Sequence, residues 1–329
     1  MNSFGRLFRV SIFGESHGIN VGVVIDGCPA GILLTTQDFS TDIERRKAGA
    51  KGTTPRKEDD IPEIISGVFN NKTTGTPITI LFKNNNTRSA DYEKLRAVPR
   101  PGHADFVASK KFGGFEDYRG GGHFSGRLTV ALVAAGVVAK KTLAQIKVES
   151  KILEIGGETD LDKGLQKAID AKDSIGGIVE CRVSNLPIGL GEPFFDSAES
   201  LISHAVFAIP AVRAIEFGTG FAAAKMFGSK HNDAIEDANG KTKTNHSGGI
   251  VGGLTNGNEI VFRIAIKPTS STPQEQQTLN IETNKVEPFS VKGRHDLCIA
   301  LRVPVVLEAV TAMVLADLML LEQKVTRVL

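Results

Sequence analysis

Histidines next to glycines are the most chemically suggestive feature of this 329-residue sequence. His17, His103 and His123 lie in the segments G-E-S-H-G, R-P-G-H-A-D and R-G-G-G-H. Histidine is the side chain that most easily exchanges a proton near neutral pH. Glycine has no Cβ atom, so backbone can approach a ligand closely there, although such segments can also be ordinary turns. The recurrence of this pattern predicts acid–base chemistry on a small ligand.

Basic side chains are concentrated in one short window, although the net charge of the chain is only +2. The window contains Arg45, Arg46, Lys47, Lys51, Arg56 and Lys57. Such a run is either a solvated basic surface or a site for a small polyanion, and the residue types fit both. The low net charge argues against a general nucleic-acid-binding protein.

Spacing disfavours several other kinds of site. Cys28, Cys181 and Cys298 are far apart, which predicts free thiols in a reducing compartment. The sequence has no H-E-x-x-H pair, no G-x-G-x-x-G loop and no G-x-x-x-x-G-K-[ST] loop. We therefore expect no metal site, no dinucleotide fold and no P-loop.

One competing motif is G-E-S-H-G itself, because it matches the G-x-S-x-G nucleophile elbow of serine hydrolases. That elbow needs a strand before the serine and a helix after it. A strand is predicted at 8–13, but the residues after Ser16 alternate like a second strand and end in a turn. The sequence therefore disfavours a hydrolase that uses Ser16 as its nucleophile.

The elements that must position these residues form a mixture of strands and long helices. Apolar alternation predicts strands at 8–13, 21–25, 78–82, 178–183 and 259–267. Long apolar helices are predicted at about 127–146 and 305–323, the second with Pro304 in its first turn, and an amphipathic helix at 160–173. Thr35 with Asp38, and Asp196 with Glu199, resemble capping boxes of two shorter helices. Arg46 is predicted near the apolar side of the first of these.

This grouping predicts an α+β fold with antiparallel or mixed sheets, in one domain over 1–329. Segments 73–83 and 255–267 both place a glycine-containing turn before a strand that ends in lysine, which suggests a duplicated unit. The apolar run 128–139 is too short for a membrane span, and the N-terminus lacks the order of a secretory signal. We therefore expect a cytoplasmic protein that binds neither membrane nor nucleic acid.

Taken together, the motifs resemble those of the chorismate synthase family over nearly the whole chain. The opening F-G-R-L-F-R-V-S-I-F-G-E-S-H-G and V-x-x-D-G-x-P-x-G (23–31) resemble the first family signature. R-S-A-D-Y (88–92), R-P-G-H-A-D (100–105) and D-Y-R-G-G-G-x-x-S-G-R (117–127) match the middle of the family pattern. N-H-S-G-G-I-x-G-G (245–253), K-P-T-S-S (267–271) and G-R-H-D-x-C (293–298) match the last third in the family's order.

The resemblance implies a lyase that converts 5-enolpyruvylshikimate 3-phosphate to chorismate and phosphate by anti-1,4-elimination, the last step of the shikimate pathway. It also implies reduced flavin mononucleotide (FMN) as cofactor without net redox change, and NADPH only as a reductant of the flavin. The implied fold is a β-α-β sandwich with long helices between the sheets, assembled as a homotetramer. A homologue that binds flavin without turnover is the alternative.

The resemblance also implies roles for particular residues. His17 protonates the reduced flavin, His103 protonates or hydrogen-bonds the departing phosphate, and Asp296 assists removal of the ring proton. The substrate is implied to bind to Ser16, Arg45, Arg46, Lys51, Arg119 and Arg127. The flavin is implied to bind to His123, Phe124, Ser125, Pro210, Ala211, Gly252, Lys267, Pro268, Thr269, Ser270, Ser271 and Arg294.

The sequence departs from the family pattern near the flavin residues. His123 and Phe124 stand where many relatives have Arg and Ser, so a guanidinium contact to the cofactor is expected to be missing. Leu297 replaces the more usual proline of R-H-D-P-C, which is expected to alter the loop that carries Asp296. Gly126 stands where alanine is common. None of these changes touches His17, His103 or Asp296.

Overall fold

A computed structural model describes residues 2–54, 58–87, 92, 95–291 and 295–325 of the chain. The helices are α1 (Ser40–Arg46), α2 (Asp105–Phe112), α3 (Thr129–Leu143), α4 (Leu161–Ala171), α5 (Ala198–Val206), α6 (Gly228–His231) and α7 (Val303–Leu321). The strands are β1 (Ser3–Phe4), β2 (Arg9–Gly14), β3 (Asn20–Asp26), β4 (Glu63–Ser66), β5 (Val68–Phe69), β6 (Lys72–Thr73), β7 (Ile78–Lys83), β8 (Lys147–Ile155), β9 (Gly177–Ser184), β10 (Val212–Phe217), β11 (Ile250–Val251), β12 (Leu254–Thr255), β13 (Ile260–Ile266), β14 (Gln276–Asn280) and β15 (Lys285–Phe289).

Two antiparallel sheets enclose a layer of long helices. The first sheet has the strand order β1-β2-β3-β7-β4 and packs against α3, while the second has the order β10-β13-β9-β8 and packs against α7. The helices α3 and α7 pack along one another between the sheets. Both helices are apolar on all sides because each contacts a sheet on one face and a helix on the other. This confirms the α+β sandwich, and the shared helical core supports the proposal of a single domain.

Most of the predicted elements are confirmed to within a few residues. The long helices begin at Thr129 and Val303, with Pro304 in the first turn of α7. The capping box at Thr35 is confirmed, because its backbone N–H donates to Asp38 Oδ2 at 2.7 Å. The capping box at Asp196 and Glu199 is wrong: Ser197 caps α5 by accepting from the N–H of Ser200 at 3.1 Å.

The suspected internal repeat has a structural counterpart. Thr73 and Thr255 each end a short hairpin just before a central strand, β7 or β13. Thr73 Oγ1 donates to Pro29 O at 2.6 Å and accepts from Ile32 N at 2.9 Å. Thr255 Oγ1 donates to Pro187 O at 2.7 Å and accepts from Leu190 N at 2.9 Å. The same hydrogen bonds at both places support a duplicated unit.

The C-terminal helical segment Ile299–Leu321 is long and apolar enough to cross a membrane. However, 83% of its most apolar stretch is buried inside the protein. Its apolar composition is explained by its position between α3 and the second sheet, so it is a core helix of the sandwich.

Gly136 lies at a close contact between α3 and α7. A Cβ atom at this position would lie 2.5 Å from Cα of Ala309, so the two helices would have to separate. We expect Gly136→Ala to lower the free energy of unfolding by about 1–3 kcal/mol, measured by denaturant titration. Gly228→Ala is the control, because a Cβ atom there meets open space, and its effect should stay within about 0.5 kcal/mol. Equal stability of the Gly136→Ala variant and the wild type would contradict close packing at this crossing.

Candidate active site

A cavity of about 680 Å³ lies between α3, α5, α7 and the loops at one end of the first sheet. It is where most of the residues implied by the family resemblance meet, although they come from distant parts of the sequence. The predicted residues that line it are Arg46, His103, His123, Phe124, Ser125, Arg127, Pro210, Ala211, Lys267, Thr269, Ser270, Ser271 and Asp296.

The loop that carries Ser16 and His17 is buried beneath the glycine-rich turn at 120–122. Gly120 lines the cavity and has a left-handed φ of 61°. A Cβ atom at Gly120 would lie 2.6 Å from Nε2 of His17 and 2.8 Å from Oγ of Ser16, so only glycine lets the turn cover this loop. His123 Nδ1 contacts the Gly14 carbonyl at 2.8 Å. The turn therefore holds His17 at the edge of the cavity.

His103 is held by its own motif. Its Nδ1 lies 2.6 Å from Oδ1 of Asp105 and 3.1 Å from Nη2 of Arg100. Arg100 is buried, lines the cavity, and donates to Ser271 Oγ at 3.0 Å. Burial alone would raise the pKa of Asp105, but hydrogen bonds from Arg100 and His103 hold it well below its ordinary value. Arg100 and Asp105 stand in the quoted R-P-G-H-A-D motif, but the sequence assigned neither of them a role.

Two of the arginines predicted to bind substrate share one buried carboxylate, Asp60. Arg46 Nη2 donates to Asp60 Oδ2 at 2.7 Å, and Arg127 Nη1 donates to Asp60 Oδ1. Arg46 is buried, as its predicted position near the apolar side of α1 requires. Burial lowers the pKa of Arg46 to about 10 against the opposing effect of Asp60, so the guanidinium is still charged at neutral pH. Sequence reasoning missed Asp60, because no motif marks it.

Asp296 also lines the cavity and is held by two hydrogen bonds. Its Oδ1 accepts from the backbone N–H of Thr54 at 2.8 Å, and its Oδ2 accepts from Arg302 Nη1 at 3.2 Å. Leu297, at the position of the family proline, donates its N–H to Gly52 O at 2.9 Å. This hydrogen bond, which proline could not make, ties the Asp296 loop to the segment after α1. Arg302 gave no sequence signal.

The K-P-T-S-S segment forms a polar wall of the cavity. Lys267 Nζ donates to Ser270 Oγ at 2.8 Å. Oγ1 of Thr269 is buried and has no hydrogen-bond partner among the described residues. Buried hydroxyls are normally hydrogen-bonded, so this atom is available to hydrogen-bond a polar ligand. The other end of the cavity is apolar and is lined by Val10, Ile12, Leu132, Ile209, Val306, Val310 and Met313.

Several predicted residues are not brought to this cavity. Arg45 forms a bidentate ion pair with Glu308 at 2.7 Å, Lys51 donates to Gln166 at 3.1 Å, and Arg119 pairs with Asp117 at 2.8 Å. Gly252 lies in the turn between β11 and β12, and Pro268 is exposed and outside the lining. Arg294 lies outside the described residues. The roles of the first five residues remain predictions that the geometry does not support, and the role of Arg294 stays a prediction.

The surroundings of Ser16 argue against a nucleophile elbow. Strand β2 is followed by a tight turn and the antiparallel strand β3, where the elbow requires a helix.

The three cysteines are free and buried, as expected, and burial raises the pKa of Cys28 to about 11 and of Cys181 to about 12. These two thiols are therefore protonated and unreactive at neutral pH.

The comparisons with known proteins agree with this geometry. The family model described as chorismate synthase matches residues 8–320. A chorismate synthase of Chitinophaga pinensis is 73% identical, with 100% of this chain and 99% of the relative covered. One of Dehalococcoides mccartyi is 45% identical at the same coverage. A solved structure titled as the crystal structure of chorismate synthase aligns with a TM-score of 0.73 at 26% identity, covering 97% of this chain and 93% of that one. The chain therefore belongs to the chorismate synthase family.

Proposed function

We propose that this cavity is where the chain carries out its family's reaction, the elimination of phosphate from 5-enolpyruvylshikimate 3-phosphate to give chorismate. The observation that carries the proposal is the convergence of His103, Arg46, Arg127 and Asp296 on one cavity. The substrate bears two carboxylates and a phosphate, so a site for it needs fixed cations. It also needs groups that donate one proton and assist removal of another.

The buried arginines supply the fixed cations. The guanidinium is planar and suits carboxylate and phosphate oxygens geometrically. Nε of buried Arg46 has no hydrogen-bond partner among the described residues, although the residue lines the cavity. Arg100 and Arg127 also line it, and each is already held by a carboxylate. We infer that Arg46, Arg100 and Arg127 bind the anionic groups of the substrate. Because carboxylates already hold them, their orientation is fixed before the substrate binds.

Reduced FMN is the proposed cofactor, and the residues present fit it. The unpartnered hydroxyl of Thr269, with Lys267, Ser270 and Ser271, offers hydrogen bonds and a positive charge to phosphate or ribityl oxygens. The apolar end of the cavity suits a flat aromatic ring system. His123 lines the cavity where an arginine is usual, and its contact with Gly14 makes it part of the wall. When bound, the reduced flavin supplies electron density to the substrate as phosphate leaves.

Three side chains are proposed to handle protons. His103 donates to the departing phosphate, and His17, beneath Gly120, is the second acid. Asp296, whose carboxylate is held by Thr54 and Arg302, assists removal of the ring proton. A positioned general acid or base contributes roughly 10²–10⁴ in rate.

Assembly and location are also proposals. Phe194, Phe195, Phe221 and Phe227 are each at least 80% exposed. Large exposed apolar groups mark interaction surfaces. This supports self-association, for which the family resemblance implies a homotetramer. A cytoplasmic site of action suits the free thiols. Light scattering after size exclusion should give four times the chain mass of 35.1 kDa, and a monomer would contradict the assembly.

An anaerobic assay tests the function. The protein is incubated with 5-enolpyruvylshikimate 3-phosphate, FMN and dithionite, and phosphate release and chorismate absorbance are followed together. We expect equal amounts of both products, and only with reduced flavin. Phosphate without chorismate would indicate a hydrolase. Flavin binding with neither product would identify a homologue without turnover.

A further inference from the structure

Asp105 touches the proposed acid His103 but is absent from the lining of the main cavity. Both carboxylate oxygens of Asp105 accept hydrogen bonds. Oδ1 lies 2.6 Å from His103 Nδ1 and 2.8 Å from Arg100 Nη2, while Oδ2 accepts from Arg100 Nε at 2.7 Å and Arg100 N at 3.2 Å. The side chains of Arg100 and Asp105 are 5% and 14% exposed. The three residues therefore form one fixed, largely buried cluster.

The distances decide which ring nitrogen of His103 carries a proton. Arg100 is always protonated and can only donate. If Nδ1 accepted from Arg100, its lone pair would face the anionic Oδ1 of Asp105 at 2.6 Å, which is repulsive. Nδ1 must therefore be protonated and donate to Asp105. Nε2 is then the free nitrogen, next to Gly121, where a Cβ atom would lie 3.5 Å from it.

We propose that Asp105 is a positioning residue of the reaction, holding Nδ1–H of His103 so that Nε2 delivers the proton to the departing phosphate. The inference rests on the proposed role of His103. As the C–O bond breaks, its electron pair goes to the phosphate oxygen, which takes the Nε2 proton. His103 becomes neutral with Nδ1–H still on Asp105, and regains a proton from solvent before the next turnover.

Arg100 gives this arrangement its rigidity. Its guanidinium binds both carboxylate oxygens, a geometry that fixes orientation as well as charge. Through its hydrogen bond to Ser271 Oγ at 3.0 Å, it also connects the cluster to the K-P-T-S-S segment. The carboxylate stays ionised at neutral pH because its pKa is held low. A permanent anion beside Nδ1 keeps that nitrogen the hydrogen-bond donor to Asp105.

A purely structural role for Asp105 is the competing explanation, because it also begins α2 and pairs with Arg100. A double-mutant cycle separates the two roles. If Asp105 acts through His103, Asp105→Asn should lower kcat at least about tenfold, bounded by the 10²–10⁴ contribution of a general acid. KM for the substrate should rise by less than kcat falls, because Asp105 also holds Arg100, which is proposed to bind the substrate. In a His103→Ala background, Asp105→Asn should have almost no further effect on kcat.

Asp42→Asn is the matched control. Its side chain is 15% exposed and paired with Lys140 at 2.8 Å, but it does not line the cavity, so kcat should not change. Unchanged kcat in Asp105→Asn, or effects of the two substitutions that multiply in the double variant, would overturn the proposal. Full activity of His103→Ala would instead overturn the proposed role of His103, and with it this inference.

A measurement on the wild-type protein keeps the proposal testable if Asp105→Asn does not fold. Nitrogen-15 spectra of labelled histidine, with His103→Ala for assignment, report which ring nitrogen carries the proton. We expect Nδ1 of His103 to stay protonated when the ring is neutral. A neutral ring protonated on Nε2 would overturn the proposed orientation.

Discussion

His103→Ala is expected to lower kcat by about 10²- to 10⁴-fold, the contribution of a positioned general acid. His103 lines the main cavity. Its Nδ1 lies 2.6 Å from Oδ1 of Asp105. Removing the ring leaves the departing phosphate without its proton donor but leaves the arginines in place. The variant should therefore still fold and bind FMN and substrate.

The measurement is the anaerobic turnover assay, with kcat and KM determined separately, and a thermal melt to compare folding. His17→Ala should behave in the same way, because His17 is the second proposed acid. His231→Ala is the control: this histidine stacks on His246 at a centroid distance of 5.8 Å, away from the cavity lining. Unchanged turnover in His103→Ala or His17→Ala would remove that residue from the mechanism.

Asp60→Asn should be the most destabilising of the substitutions considered. The Asp60 side chain is 1% exposed and is shared by Arg46 and Arg127, whose side chains are 3% and 4% exposed. Removing one partner of a buried ion pair leaves uncompensated charge and costs about 3–5 kcal/mol. Asparagine keeps the volume and tolerates the left-handed φ of 51° at this position, so the loss is assigned to the charge.

The loss of stability caused by Asp60→Asn should be larger at neutral pH than at acidic pH. Burial raises the pKa of Asp60, but Arg46 and Arg127 together hold it below its ordinary value. A lowered folded-state pKa stabilises the fold above the unfolded-state pKa of about 3.9, and this contribution is lost as the pH falls towards the folded-state value. Denaturant titrations should therefore show the full difference from wild type at neutral pH and a shrinking one below about pH 4.

The exposed pair of Arg9 and Asp26 provides the control for Asp60. Their side chains are 59% and 36% exposed, and exposed pairs contribute about 0–1 kcal/mol. Asp26→Asn should therefore change stability little at any pH. If Asp60→Asn were no more destabilising than Asp26→Asn, the shared carboxylate would not be what holds the two arginines.

Local patterns in the sequence were enough to predict the main elements. Strands such as β3 and β13 alternate or run apolar, and α3 and α7 are continuously apolar, so their types follow from local periodicity. The motifs that carry His17, His103 and Asp296 were also visible, and two of these three residues line the cavity. The burial of Arg46 followed from its position on the apolar side of α1.

By itself, then, the sequence determined the family and the α+β class, and it supplied the residues proposed to handle protons. Only the tertiary structure decided which charges meet. Arg127 and Asp60 are 67 positions apart, and Arg45 pairs with Glu308 across 263 positions. Arg45 and Arg46 are neighbours in sequence, but successive residues on a helix point in different directions. Arg46 therefore lines the cavity, whereas Arg45 faces α7. Ion pairs between distant segments depend on how layers pack, and no local pattern encodes that packing.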